Sequence, residues 1–223
     1  MSDPTLSWDV ELPARTARSL AGRPPRATLS VATSERGDEQ WSLPVAVGRR
    51  LVRVRDGEGT SPSSRAELLH LVGELSRSCG RERVEALVGR RDYSTHELAV
   101  RLARDGYRRA LVDELVERAR SCGLVDDARY ASVFIRSKVA AGWGRSKIAR
   151  ELSRRGIEVG EVEGWPEEYF DADEEHARAL SLASRRRLTG KNDFERIVRF
   201  LCGRGFAYAL ASEVAREVTD GRN

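Results

Sequence analysis

One spacing of aliphatic residues is written three times in the later part of the chain. Leu98 and Leu102 precede Gly106-Tyr107, Ile148 and Leu152 precede Gly156-Ile157, and Ile197 and Leu201 precede Gly205-Phe206. Two aliphatics four apart mark one face of a helix, the glycine ends it, and an apolar residue carries the chain back to the core. The glycines stand 50 and 49 residues apart. Such a period predicts one supersecondary unit repeated, each copy too small to bury its apolar face alone. Ser94, Gly144 and Asp193 stand four residues ahead of the first aliphatic in each phrase, and all three are residue types that start helices. Ser94-Thr95-His96-Glu97 has the reciprocal pattern of a capping box.

The remaining pattern supplies the other helices. Leu68, Leu69, Leu71, Val72 and Leu75 form a stripe that Gly80 is expected to end, and Val84, Leu87 and Val88 open a further helix. Ala110, Leu111, Leu115 and Val116 complete the first repeat before Gly123. Asp126 or Asp127 caps a helix with Tyr130, Val133, Phe134 and Val139, which Gly142-Trp143-Gly144 breaks. Ile157, Val159 and Val162 start a helix that Gly160, Gly164 and Pro166 keep short. Ala177, Leu180 and Leu182, then Leu210, Val214 and Val218, give the outer helices of the third repeat. Ahead of all this, Leu29, Val31 and Thr33 alternate with small polar residues, and Trp41, Leu43, Val45 and Val47 alternate again after the polar stretch Ser34–Gln40. Leu51, Val52 and Val54 follow Gly48, so two or three short strands in a meander are expected. A sheet of that size needs a partner surface. The fold class is therefore mainly α: three tandem three-helix repeats behind a small β-hairpin or meander segment. The expected boundaries are a disordered leader over 1–26, the β segment and linker over 27–60, and a connecting helix over 64–81. The repeats follow over 82–125, 126–170 (with an acidic joint) and 171–219.

Charge adds a local asymmetry. The net charge of +4 says little about partners, but of 39 basic residues only Lys138, Lys147 and Lys191 are lysines. Arginine suits recognition of phosphates and carboxylates, and a compositional bias of the genome explains the same excess. Arg136, Lys138, Arg145, Lys147, Arg150, Arg154 and Arg155 crowd one stretch whose single acid is Glu151. Lys147, Arg150 and Arg154 share a helix face, and Arg145 falls in the first turn, where unpaired backbone N–H groups favour an anion. The stretch reads as a phosphate- or acid-binding patch, or as a solvated face offsetting the acidic run from Glu158 to Glu175. Arg90 and Arg91, and Arg185, Arg186, Arg187 and Lys191, hold the equivalent place ahead of the other two capped helices. Tyr93, Trp143, Trp165 and Phe194 flank the helix joints, where they pack or stack on a partner.

Catalytic chemistry is sparse. His70, His96 and His176 are isolated, and no nucleophile motif is present. Gly142-Trp143-Gly144-Arg145-Ser146-Lys147 lacks the spacing of a phosphate loop and is expected to break and cap helices. The acidic run lacks the alternation and central glycine of a calcium loop, so a solvated linker is expected. Cys79, Cys122 and Cys202 form no paired motif; Cys122 and Cys202 are expected as small core thiols in a reduced setting. No secretion signal and no membrane span are expected, and no metal or cofactor.

Three stretches resemble the RecX family, bacterial regulators of the recombinase RecA. They are Arg91-Asp92-Tyr93-Ser94 through Glu97-Leu98, Leu102 and Gly106-Tyr107; Gly123-Leu124-Val125-Asp126-Asp127-Ala128-Arg129-Tyr130-Ala131; and Arg136-Ser137-Lys138 with Gly142, Gly144, Ile148, Glu151-Leu152 and Gly156-Ile157. Ile197, Leu201 and Arg204-Gly205-Phe206 match more loosely. The resemblance implies tandem three-helix repeats in an elongated, curved array, and a monomeric, cytoplasmic, non-enzymatic modulator of recombination, DNA repair and the SOS response. Such proteins bind the RecA filament in its groove and reduce its ATPase and strand exchange; some also touch single- or double-stranded DNA. The chain departs from the shortest members in its longer N-terminus and in the short third helix of repeat two. On the residues alone two other classes stay open: a direct DNA-binding protein of helix-turn-helix-like modules, and a scaffold whose charges are solvent dressing.

Overall fold

The computed structural model describes residues 6–14, 24–33 and 37–221. Among these, three strands precede nine α-helices. The strands are β1 (Ser7–Glu11), β2 (Ala27–Thr33) and β3 (Gly37–Leu43). The helices are α1 (Val45–Arg55), α2 (Arg65–Val88), α3 (Thr95–Asp105), α4 (Arg109–Ser121), α5 (Asp127–Ala140), α6 (Arg145–Ser153), α7 (Ala172–Ser184), α8 (Asp193–Arg204) and α9 (Tyr208–Asp220). The chain divides into two compact units, Met1–Val125 and Asp126–Asn223.

In the first unit the strands form an antiparallel sheet in the order β1-β2-β3, with Val10 opposite Leu29 and Leu29 opposite Trp41. Ala27, Leu29 and Val31 alternate into the core, where they join Val47 and Leu51 of α1, Leu68 and Val72 of α2, Leu98 and Leu102 of α3, and Val112 and Leu115 of α4. One continuous core thus gives the small sheet the partner surface it needs. α3 is the first of the three repeated helices. Ser94 is its N-cap, with the hydroxyl accepting from the Glu97 N–H and the Glu97 carboxylate accepting from the Ser94 N–H; Gly106 ends it in the left-handed conformation. Ser94 is fully buried, so Ser94→Ala is expected to cost about 1 kcal/mol, read as a lowered urea midpoint.

Four expectations are corrected in this unit. The leader over 1–26 contains β1, because Trp8 and Val10 find registry on β2 in a run too short to show a period of its own. Its residues 1–5 and 15–23 lie outside the described ones. β3 begins at Gly37, inside the polar stretch expected to separate the strands, of which residues 34–36 lie outside the described ones. Val45–Arg55 is a helix, not a strand: Val47 and Leu51, four apart, are both fully buried, and that face outweighs the apparent alternation through Val52 and Val54. Finally, α2 runs unbroken through Gly80. A Cβ there would lie 2.6 Å from Leu115 Cδ1, so this glycine admits α4 instead of ending a helix.

The second unit has two apolar clusters. Ala131, Ile135, Ile148, Leu152, Ile157 and Phe170 pack α5 against α6, and Ala179, Ala183, Ile197, Leu201, Phe206, Ala211 and Val214 pack α7, α8 and α9. The short third helix of repeat two is a single 3-10 turn, Val159–Glu161. Beyond it Phe170 is buried, with Trp165 edge-on at 5.4 Å. The segment that opens as a run of acids therefore closes the first cluster with rings. Asp193 is the first residue of α8 and not its cap. Asn192 holds the cap position with φ 53°, and the Asp193 carboxylate accepts from the N–H groups of Thr189 (2.8 Å) and Gly190 (2.6 Å), which hold its pKa below the usual range. Among the cysteines Cys79 is buried, Cys202 half-buried and Cys122 exposed at the end of α4, so Cys122 is not the core thiol expected. No helix of the described residues is long and apolar enough to cross a membrane.

Candidate functional site

The basic stretch of repeat two lies on α5, α6 and the loop between them. Asp126 caps α5 by accepting from the Arg129 N–H (2.9 Å). Ala131 and Ile135 turn inward, Tyr130 and Phe134 pack half-buried beside them, Lys138 is half-buried, and Arg136 is exposed on another side of the helix. Ile148 and Leu152 are the inward residues of α6, so Arg150 and Arg154 are exposed.

The loop that presents these residues is tied by backbone bonds. Trp143 donates its N–H to the Lys138 carbonyl (3.0 Å), Gly144 to the Arg204 carbonyl (2.9 Å), and Ser146 to the Gly205 carbonyl (3.1 Å). This corrects the expectation that the first turn of α6 offers unpaired N–H groups to an anion. The Ser146 N–H instead meets the carbonyl at the end of α8, because a helix start lacking a side-chain cap still needs acceptors. A Cβ on Gly144 would overlap the Gly205 backbone, and one on Gly205 would overlap Lys147. The cap glycine of the second phrase and the closing glycine of the third are thus in contact.

The basic side chains differ in what holds them. Arg145 is anchored: its Nε donates to Glu175 Oε2 at 2.9 Å, its Nη2 lies 2.8 Å from the same oxygen, and its guanidinium stands over the Phe170 ring. Glu175, in the first turn of α7, is buried, so one carboxylate of the expected solvated run is internal. Arg154 and Arg155 are tethered to Glu151 at 2.7 Å each, Arg155 also donating to Tyr130 Oη (3.2 Å). Arg155 first, with Arg154, holds the Glu151 carboxyl below the usual carboxylate range. Arg136 stands 5.8 Å over Tyr169. The lysines are arranged otherwise: Lys138 Nζ lies 5.3 Å from both the Phe134 and Trp143 ring centres, and Lys147 Nζ lies 4.1 Å from Trp143. The rings form a row, Tyr130 stacked on Phe134 at 6.1 Å and Phe134 meeting Trp143 edge-on at 6.5 Å.

The other two clusters are smaller. In the first unit Arg90 is exposed, and Arg91 pairs with Glu97 at 3.1 Å and lies 3.7 Å over Tyr93. In the second unit Arg185, Arg186 and Arg187 follow the end of α7 and, with Lys191, are exposed; Arg186 stands over Phe200. The residues that sequence reasoning passes over are Glu175, Gly205 as a partner of Gly144, and the ring pair Tyr130 and Phe134. Only the last carries a local signal, two aromatics four apart on one helix.

The family model described as RecX, second three-helix domain, matches residues 126–163, which hold α5, α6 and this loop. A regulatory protein RecX of Halorhodospira halophila is 36% identical over 125 residues, covering 54% of this chain and 76% of that protein. The crystal structure of RecX from Lactobacillus salivarius superposes with a TM-score of 0.55 at 19% identity, covering 65% of this chain and 97% of its own. A second crystal structure, of a regulatory protein RecX, gives a TM-score of 0.57 at 15% identity and covers 97% and 99%.

Proposed function

The chain belongs to the RecX family of regulatory proteins, and from that membership we propose that it is a non-enzymatic regulator that binds the RecA filament in the cytoplasm and lowers its ATP hydrolysis and strand exchange. The observation that carries the reading is the basic face around Trp143, where Lys138 of α5 meets Lys147 of α6, with Arg150 and Arg154 exposed on α6 and Arg136 exposed on another side of α5. Such a face suits acidic protein surface or DNA phosphates. Arg90, Arg91, Arg185, Arg186, Arg187 and Lys191 are the further contact candidates, and Arg145 supports the face through Glu175.

The test is RecA's single-strand-dependent ATP hydrolysis as the purified chain is titrated in, beside its binding to naked DNA. Hydrolysis is expected to fall at concentrations too low to coat the DNA. Lys147→Ala with Arg150→Ala is expected to raise the half-inhibitory concentration about tenfold, the loss of one or two charge-assisted contacts. A fall only where the chain saturates the DNA would replace this reading with direct DNA binding.

A further inference from the structure

Two of the three lysines in a chain with 39 basic residues stand over one indole ring. The other rings with cation partners are covered by arginine: Tyr93 by Arg91, Trp41 by Arg65, Tyr169 by Arg136, Phe170 by Arg145 and Arg178, and Phe200 by Arg186 and Arg204. Phe134, next to Trp143, takes one of each. Among the described residues Trp143 is thus the ring whose cation contacts are lysines alone. The difference has a physical consequence. A guanidinium is a planar fork that lies flat on an aromatic face and occupies it. An ammonium is a compact charge on a flexible stem, free to swing away and leave the face open.

The backbone that carries the ring is held in place. Gly142, at φ 76°, turns the chain out of α5, the Trp143 N–H is fixed to the Lys138 carbonyl, and the Gly144 N–H is fixed to the Arg204 carbonyl. A ring positioned before its ligand arrives loses little freedom on binding. Phe134 and Tyr130 continue from Trp143 along α5, half-buried against the core and with Arg155 4.7 Å over Phe134, while Arg150 and Arg154 are exposed on α6. A positioned ring flanked by mobile cations is an arrangement that holds a single strand, a base on the ring and backbone on the charges.

We propose that Trp143 is a stacking site for a base of single-stranded DNA, and that Lys138 and Lys147 move from the ring to the flanking phosphates when a base arrives. The proposal rests on reading this face as the contact surface, and it adds that the face engages exposed bases as well as charge. Duplex DNA, whose base faces are hidden in the stack, is a poor ligand for it.

The experiment measures binding of the full chain to a labelled oligothymidylate, to an abasic deoxyribose-phosphate strand of the same length, and to a duplex, each at several salt concentrations. The thymidylate is expected to bind about tenfold tighter than the abasic strand, the difference owed to stacking. Trp143→Ala is expected to abolish that difference while leaving the salt dependence unchanged. Lys138→Arg with Lys147→Arg keeps every charge and is expected to cut the difference severalfold, because the planar groups stay on the ring. Equal affinity for thymidylate and abasic strands, equal affinity for the duplex, or full base preference in both variants would each overturn the proposal. The comparison of strands uses the unaltered chain, so it stands even if a variant folds poorly. No RecA is present, so a failure here leaves the hydrolysis titration to decide the filament reading by itself.

Discussion

Gly205→Ala is expected to destabilise the second unit by about 3–5 kcal/mol, a large share of what a domain of that size commands. Three costs add. Gly205 sits at φ 93°, and a side chain in the left-handed region costs about 1–2 kcal/mol. Its Cβ would overlap Lys147 on the first turn of α6, and forced overpacking costs roughly 1–3 kcal/mol. The displacement would also strain the bonds from Gly144 to Arg204 and from Ser146 to Gly205, each worth about 1 kcal/mol net. Gly190→Ala is the control. Gly190 has φ 77°, and a Cβ there would meet nothing within 4 Å, so it should show the conformational cost alone. Urea unfolding with amide exchange read in α6 and α8 separates the two. Equal losses would mean that α6 and α8 are not in close contact through these glycines in solution.

The helices that are legible in the amino-acid pattern are those whose signal is local. Leu98 and Leu102, Ile148 and Leu152, and Ile197 and Leu201 are two residues on one face, and all six are buried in α3, α6 and α8. Ser94 stands at an N-cap because its capping box is settled within four residues, and Gly144 stands at one as well, although its own N–H is taken by the distant Arg204 carbonyl. The pattern misleads where a distant partner decides. Val45–Arg55 reads as strand by alternation and becomes a helix because one face meets the sheet. Gly80 reads as a stop and proves to be a gap for Leu115. β1 is five residues that mean nothing until β2 lies beside them. The candidate site divides the same way. Its basic residues are visible by type, but the state of each depends on a partner elsewhere in the chain. Arg145 takes a carboxylate 30 residues away, while Arg154 takes one three residues away. Nothing in the acidic run marks Glu175 as its one buried member, since its neighbours are of the same type.

Arg145 is consequently the residue at which stability and contact must be told apart. Arg145→Ala is expected to cost about 2–3 kcal/mol, less than the roughly 3–5 kcal/mol typical of breaking a fully buried pair, because the Arg145 side chain is 41% exposed although that of Glu175 is 9% exposed. The penalty comes mainly from leaving Glu175 buried without a partner. Glu175→Ala is expected to cost less, since the guanidinium can turn to water. Arg145→Met combined with Glu175→Leu replaces the pair by apolar groups of similar bulk and is expected to come within about 1 kcal/mol of the parent chain. A double-mutant cycle from urea midpoints supplies the coupling, and additive single losses would refute the pair. The apolar double variant then carries the functional question. If it keeps its stability and still suppresses RecA hydrolysis as the parent chain does, Arg145 serves only to fasten α6 to α7, and the contact belongs to the lysines and exposed arginines around it. If it is stable but no longer suppresses hydrolysis, the guanidinium both holds Glu175 and touches the partner, and the face extends to the start of α6.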